Sequence, residues 1–197
     1  MINRDQVRES VLKVAQEVFS RYGFQKTTME DIAKGMGKGK SSIYYYFSSK
    51  DEIFRAVVEK EFVVMKSNII SAVSMAGSPK EKLKAYVMER MQGLNRFVNL
   101  YKVLRTEFLG QHDYTDEIRM RTDEEEIRII KEILDEGVAA ETFNLKDTFL
   151  TAIAIVTALK GMEIPLLITR DEEQGHMENR LDHLLDVLFY GIRYDRK

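Results

Sequence analysis

Apolar residues recur every three to four positions along most of the chain, the period of a helix with one buried face. In the first segment Val7, Val11, Val14, Val18, Phe19 and Tyr22 form one stripe, and Gly23 stands where a helix closes. Thr27 to Glu30 has the Thr-x-x-Glu spacing of a capping box, which predicts a second short helix carrying Met29, Ile32, Ala33 and Met36. Gly37, Lys38 and Gly39 interrupt the pattern, and residues 40–47 predict a third short helix. Lys50, Asp51 and Glu52 open a long fourth one, with Ile53, Phe54, Val57, Val58, Phe62 and Met65 on its apolar side.

After Gly77 the pattern restarts with an N-cap serine, Ser78, a first-turn proline, Pro79, and Glu81 at the third helical position. Leu83, Val87, Met91 and Leu94 form its stripe, and Phe97, Tyr101, Leu104 and Phe108 continue a similar one to Gly110. A further helix is predicted over Asp116 to Glu136 with Gly137 at its end, and the acidic run Asp123 to Glu126 within it reads as a solvated face. From Phe149 to Leu159 the only polar side chains are Thr151 and Thr157, so this helix needs cover on all sides, and Pro165 is expected to end or kink it. The last helix, about residues 176–194, is apolar along Met177, Leu181, Leu184, Leu185, Leu188 and Ile192. A second copy of the chain can cover both as a four-helix bundle, with Ile155, Leu159, Leu181, Leu185 and Leu188 at the interface. A central position of the first of these helices in the chain's own core satisfies the same pattern. Two prolines and eleven glycines leave little turn chemistry for many strands, so the fold class is all-α, with about nine helices.

Composition narrows the classes. The chain has 197 residues, 44% hydrophobic and 31% charged, and no cysteine, which excludes disulfides and thiolate metal sites. No apolar run reaches the ~20 residues that span a bilayer, and Arg4, Asp5, Arg8 and Glu9 occupy the place of an export signal. A cytoplasmic protein with no membrane partner is expected. The formal charge of −2 hides an asymmetry. Residues 1–50 carry nine basic and five acidic side chains, whereas the remainder carries 21 basic and 27 acidic. Between Ile32 and Lys50 there are four lysines and no acid. A basic N-terminal module on an acidic body is the footprint of a DNA reader whose other part does something else.

Taken in order, Phe19 and Gly23, Thr27-Thr28, Ile32-Ala33, the aromatic block Tyr44-Tyr45-Tyr46-Phe47 and Lys50 make residues 7–54 resemble the N-terminal domain of the TetR family of bacterial transcriptional regulators. The resemblance implies a three-helix helix-turn-helix domain over residues 1–49 and a helical ligand-binding and dimerisation domain over 50–197. It also implies a homodimer on a double-stranded DNA operator, most simply a repressor released when a small molecule binds the body. A helix-turn-helix sets a reading helix into the major groove by its N-terminal end. Lys40, Ser41 and Ser42 are therefore the candidate base readers. By the resemblance Tyr44 and Tyr45 meet phosphates or base edges, Tyr46 is a further candidate, and Thr28 and Lys50 meet the backbone. Ile43 and Phe47 should point inward. The turn departs from the family pattern at Lys38, Gly39 and Ser41: the cap is weaker, and Lys38 adds a charge for phosphate contact.

For the effector, the body offers Phe62, Met65, Tyr86, Met91, Phe97, Tyr101, Phe108 and Phe143, aromatic and Met side chains suited to an adaptable pocket but also to ordinary packing, with Glu163 as a carboxylate for a cationic ligand. Catalysis finds no motif: His112, His176 and His183 lack carboxylate partners at metal spacing, and no nucleophile elbow or phosphate loop is present. No cofactor, metal or enzymatic activity is expected. A different reading on the same fold is a DNA-binding architectural or division-linked protein whose body binds a protein partner.

Overall fold

A computed structural model describes residues 4–97, 99 and 112–168, together with 181–183, 185–187 and 189; side chains at 94, 95, 112–116, 119 and 162–168 are not described. Seven helices with defined ends are α1 (Arg4–Tyr22), α2 (Met29–Gly35), α3 (Lys40–Tyr44), α4 (Lys50–Met75), α5 (Pro79–Arg96), α6 (His112–Ala139) and α7 (Thr148–Ile168). The described residues between 181 and 189 are helical as well, and no strand occurs among the described residues. None of the helices so described is long and apolar enough to cross a membrane. The chain is all-α.

The chain divides into two compact units, Met1–Lys66 with Asn95–Arg119, and Ser67–Leu94 with Met120–Lys197. In the first, the stripe of α1 is buried at Val7, Val11, Ala15 and Phe19, and Ile32, Ile43, Phe47, Ile53 and Val57 complete the core. Phe54 meets Phe19 edge to face at 5.1 Å and lies 4.8 Å from Phe24, so three rings join α1, the loop after it and α4. Gln16 Nε2 donates to the buried Glu61 carboxylate at 3.0 Å, and Asn99 Nδ2 donates to the same oxygen at 2.8 Å and to Ser20 Oγ at 3.0 Å. Those amides satisfy a carboxylate that burial would otherwise penalise.

In the second unit α5 begins as its sequence predicts, with Glu81 N donating to Ser78 Oγ at 3.3 Å. Other readings are corrected. Helix α6 is longer at both ends than residues 116–136, and Gly137 does not end it. A Cβ at Gly137 would stand 2.0 Å from Phe143 Cδ2, so glycine is there for close packing, and the exit residue with positive φ is Glu141. Helix α7 runs through Pro165 to Ile168, so the proline, which forgoes only its own bond to the carbonyl one turn upstream, does not end it. The acidic run is only partly solvated. Glu126 is buried and bonded to an equally buried Arg90, Nε to Oε1 at 2.8 Å and Nη2 to Oε2 at 3.2 Å.

Ile155, Leu159, Leu181 and Leu185 are all buried within the chain itself. They have no free apolar area to give a second copy. Among the described side chains the exposed positions on α7 are Phe149, Leu150, Ala154, Thr157 and Gly161, with Val187 exposed on the final helical stretch. Leu188 lies outside the described residues.

Candidate nucleic-acid interface

The local chemistry of residues 23–53 fixes one short helix on another. Gly23 closes α1 with φ +78°, its N–H donating to Phe19 O at 2.8 Å. The cap of α2 lies one residue beyond the expected Thr27–Glu30 pair: Asp31 N donates to Thr28 Oγ1 at 3.2 Å and Thr28 N to Asp31 Oδ2 at 2.8 Å. Thr27 turns inward, its hydroxyl donating to Gly23 O at 2.8 Å. At the other end, Lys38 N bonds Ala33 O at 2.9 Å and Gly37 N bonds Lys34 O at 3.0 Å around Gly37, whose φ is +63°. This Schellman closure is open to glycine and strained for other residues.

Gly39 then begins α3 in extended conformation, with no side-chain cap. The helix ends at Tyr44, three residues short of the predicted Phe47, yet Tyr46 and Phe47 still donate to Ile43 O at 2.9 and 3.0 Å. The last turn is thus tightened into a turn geometry without being lost. Helix α4 is capped at once: Glu52 N donates to Ser49 Oγ at 3.1 Å, and Glu52 Oε2 accepts from Ser48 N and Oγ at 2.7 and 2.8 Å. These bonds, with Arg8 nearby, hold the Glu52 carboxyl below its ordinary value. The Asp31 carboxyl is lowered in the same sense by Thr28 and, more weakly, by Lys34.

On this footing Ile43 and Phe47 are buried. Lys38, Lys40 and Ser41 are exposed, Ser42 and Tyr46 are half-buried, and Tyr44 and Tyr45 are 48% and 67% exposed. Lys40 Nζ lies 6.0 Å from the centre of the Tyr44 ring, and Tyr45 meets Tyr46 edge to face at 5.0 Å. The structure therefore gathers seven of the nine expected DNA contacts, all but Thr28 and Lys50, on one short exposed segment. Those two are committed to internal bonds. The Thr28 hydroxyl donates to Asp31 Oδ2 at 2.7 Å, and Lys50 Nζ donates to Phe24 O at 2.8 Å while lying 4.2 Å from that ring's centre. Thr28 must exchange the partner of its single hydroxyl donor to reach a phosphate, whereas the Lys50 ammonium uses only one of its three donors on Phe24. The Ser49–Glu52 cap was missed in the sequence, although its Ser-x-x-Glu spacing signals it.

The expected effector residues are not drawn into one described cavity. Phe62, Met65 and Phe97 are buried in the first unit, Tyr86 and Met91 in the second. Phe143 packs on Gly137 and stacks with Phe189 at 6.3 Å. Tyr101 and Phe108, and the side chain of Glu163, lie outside the described residues. An open groove of about 680 Å³ between α1 and α4 has a floor of Leu12, Ala56, Val63 and Val64 and contains none of them. The buried Arg90–Glu126 pair is the polar feature of the body that sequence reasoning overlooked; the signal was that Ile118, Thr122, Glu126, Ile130 and Ile133 share one helical stripe.

Residues 11–57 match the model of bacterial regulatory proteins of the tetR family. The HTH-type transcriptional regulator YfiR of Bacillus subtilis is 39% identical over 57 residues, 29% of this chain and 28% of that protein. The HTH-type transcriptional repressor NicS of Pseudomonas putida is 26% identical over 141 residues, 71% of this chain and 66% of its own. The chain thus spans less than two thirds of either relative's length. A transcriptional regulator from Cytophaga hutchinsonii has the same fold at 27% identity and TM-score 0.75, over 92% of this chain and 95% of that one. With its cap, glycine turn, exposed aromatic helix and long α4 in family order, the segment of residues 11–57 is similar to the bacterial regulatory proteins of the tetR family, and the chain shares the fold of a transcriptional regulator.

Proposed function

We propose that the protein is a dimeric, intracellular, ligand-responsive DNA-binding regulator, a repressor whose operator is released when a small molecule binds its helical body. One observation carries this reading: Lys40, Ser41, Tyr44 and Tyr45 face solvent on α3 and the turn that follows it, while Ile43 and Phe47 of the same segment are sunk in the core. A five-residue helix has little stability of its own. Exposed rings on so short an element, packed against α2, suit insertion into a groove.

The division into a DNA-binding domain over residues 1–49 and an effector and dimerisation domain over 50–197 belongs to this reading. The second copy packs on the exposed face of α7, along Leu150, Ala154, Thr157 and Gly161, so that two heads address two half-sites. In the body, the Arg90–Glu126 pair gives a largely apolar core a charged element that an effector can reorganise. Release then requires that the effector bind the off-DNA state more tightly. Selection of genomic fragments by the purified full-length chain tests the reading. Enrichment of fragments sharing a two-fold symmetric site supports it; recovery with no shared sequence contradicts it.

A further inference from the structure

Helix α1 opens with Arg4 and Arg8, one turn apart and therefore on one face. Both guanidinium groups lie over rings from the end of the reading helix: Arg4 Cζ is 5.4 Å from the centre of Tyr45, and Arg8 Cζ is 4.8 Å from that of Phe47. The two differ in what surrounds them. Arg8 covers a buried ring and stands close enough to Glu52 to help lower that carboxyl, so its charge is already answered within the protein. Arg4 is exposed, lies over a ring that is itself exposed, and among the described residues forms no ion pair. A guanidinium held over a ring has given up part of its freedom before it binds, and its N–H groups form a fork that matches phosphate oxygens.

We propose that Arg4 is a contact to the phosphodiester backbone of duplex DNA, lying outside the helix-turn-helix and held ready by the ring of Tyr45. This rests on the reading of Tyr45 as a DNA-facing residue, because whatever stacks on Tyr45 then lies at the same surface as the duplex. Arg4 lies outside the residues 11–57 that match the family model. A phosphate contact positions without reading sequence and should serve all duplexes alike.

The test is binding of the full-length chain to a mixed-sequence duplex of about 30 base pairs, followed by fluorescence anisotropy between about 50 and 200 mM salt. Arg4→Ala should reduce the slope of log K against log salt by about 0.9 for each protomer bound. Tyr45→Leu should remove most of that effect, so that Arg4→Ala costs little in its background, whereas Tyr45→Phe should preserve it. An unchanged slope in Arg4→Ala, with wild type binding normally, overturns the Arg4 contact and leaves the regulator reading intact. An equal Arg4→Ala effect in the Tyr45→Leu background overturns the ring's role as platform. A wild-type chain that binds no duplex at any salt overturns both readings together.

Discussion

Lys50 and Phe24 are joined twice: the ammonium donates to the backbone carbonyl of Phe24 at 2.8 Å and sits 4.2 Å from the centre of its ring. Because Lys50 is the first residue of α4 and Phe24 follows the end of α1, this one side chain ties the segment after α3 to the helix behind it. Lys50→Met keeps the aliphatic stem and loses the charge. It should cost about 1 kcal/mol, less than the usual bond to a charged group because Lys50 is only half-buried. Urea denaturation monitored by circular dichroism checks it.

Gly37 closes α2 in the left-handed region. Gly37→Ala should destabilise the head by about 1 kcal/mol and weaken duplex binding by shifting the start of α3, while Gly37→Asn should be milder. The midpoint of thermal unfolding, measured beside a gel shift, separates the two effects.

How much of this was legible in the sequence depends on the distance between partners. Val7, Val11 and Phe19 of the expected stripe and the inward Ile43 and Phe47 are buried, since period fixes which side of a helix is apolar, whereas the buried Ala15 falls outside that expected stripe and Tyr22, within it, is exposed. The cap of α2 was misread by one position because Thr27–Glu30 and Thr28–Asp31 both satisfy the rule, and only burial of Thr27 decides between them. Lys50–Phe24 and Arg90–Glu126 join residues 26 and 36 positions apart, which no local pattern reveals. Ile155, Leu159, Leu181 and Leu185 show the converse limit. Periodicity says that such a face is covered, and says nothing of whether the cover is the chain itself or its twin.

The Arg90–Glu126 pair is buried on both sides. Removing one partner strands a charge, so Glu126→Leu alone should cost about 3–5 kcal/mol. Arg90→Met combined with Glu126→Leu should recover most of that loss, since two apolar side chains fill the space without a desolvation penalty. Equilibrium denaturation of the two single variants and the double variant gives the coupling directly.

Asp31 and Glu52 both have carboxyls lowered by their capping bonds, chiefly through Thr28 and Ser48. With the folded value below the unfolded one, their contribution is present above the ordinary carboxylate range near pH 4 and is lost as pH falls through the lowered values. The head should therefore loosen on acidification below about pH 4, and Asp31→Asn with Glu52→Gln should flatten that limb. A pH titration of the unfolding midpoint tests the sign: a steeper acid limb in the double variant would contradict it.

Leu150 and Thr157 are exposed on α7. Leu150→Glu should shift the protein from dimer to monomer in sedimentation without lowering helicity, whereas Leu185→Glu, aimed at a residue buried in its own chain, should unfold the body.

Lys40 and Tyr44 are the exposed side chains on which the proposed duplex contact turns. The affinity of Lys40→Ala and Tyr44→Ala for a fragment selected by the wild-type protein tests this most directly. Each substitution should weaken binding by about 1–3 kcal/mol with an unchanged unfolding midpoint. Wild-type affinity in both variants would contradict it.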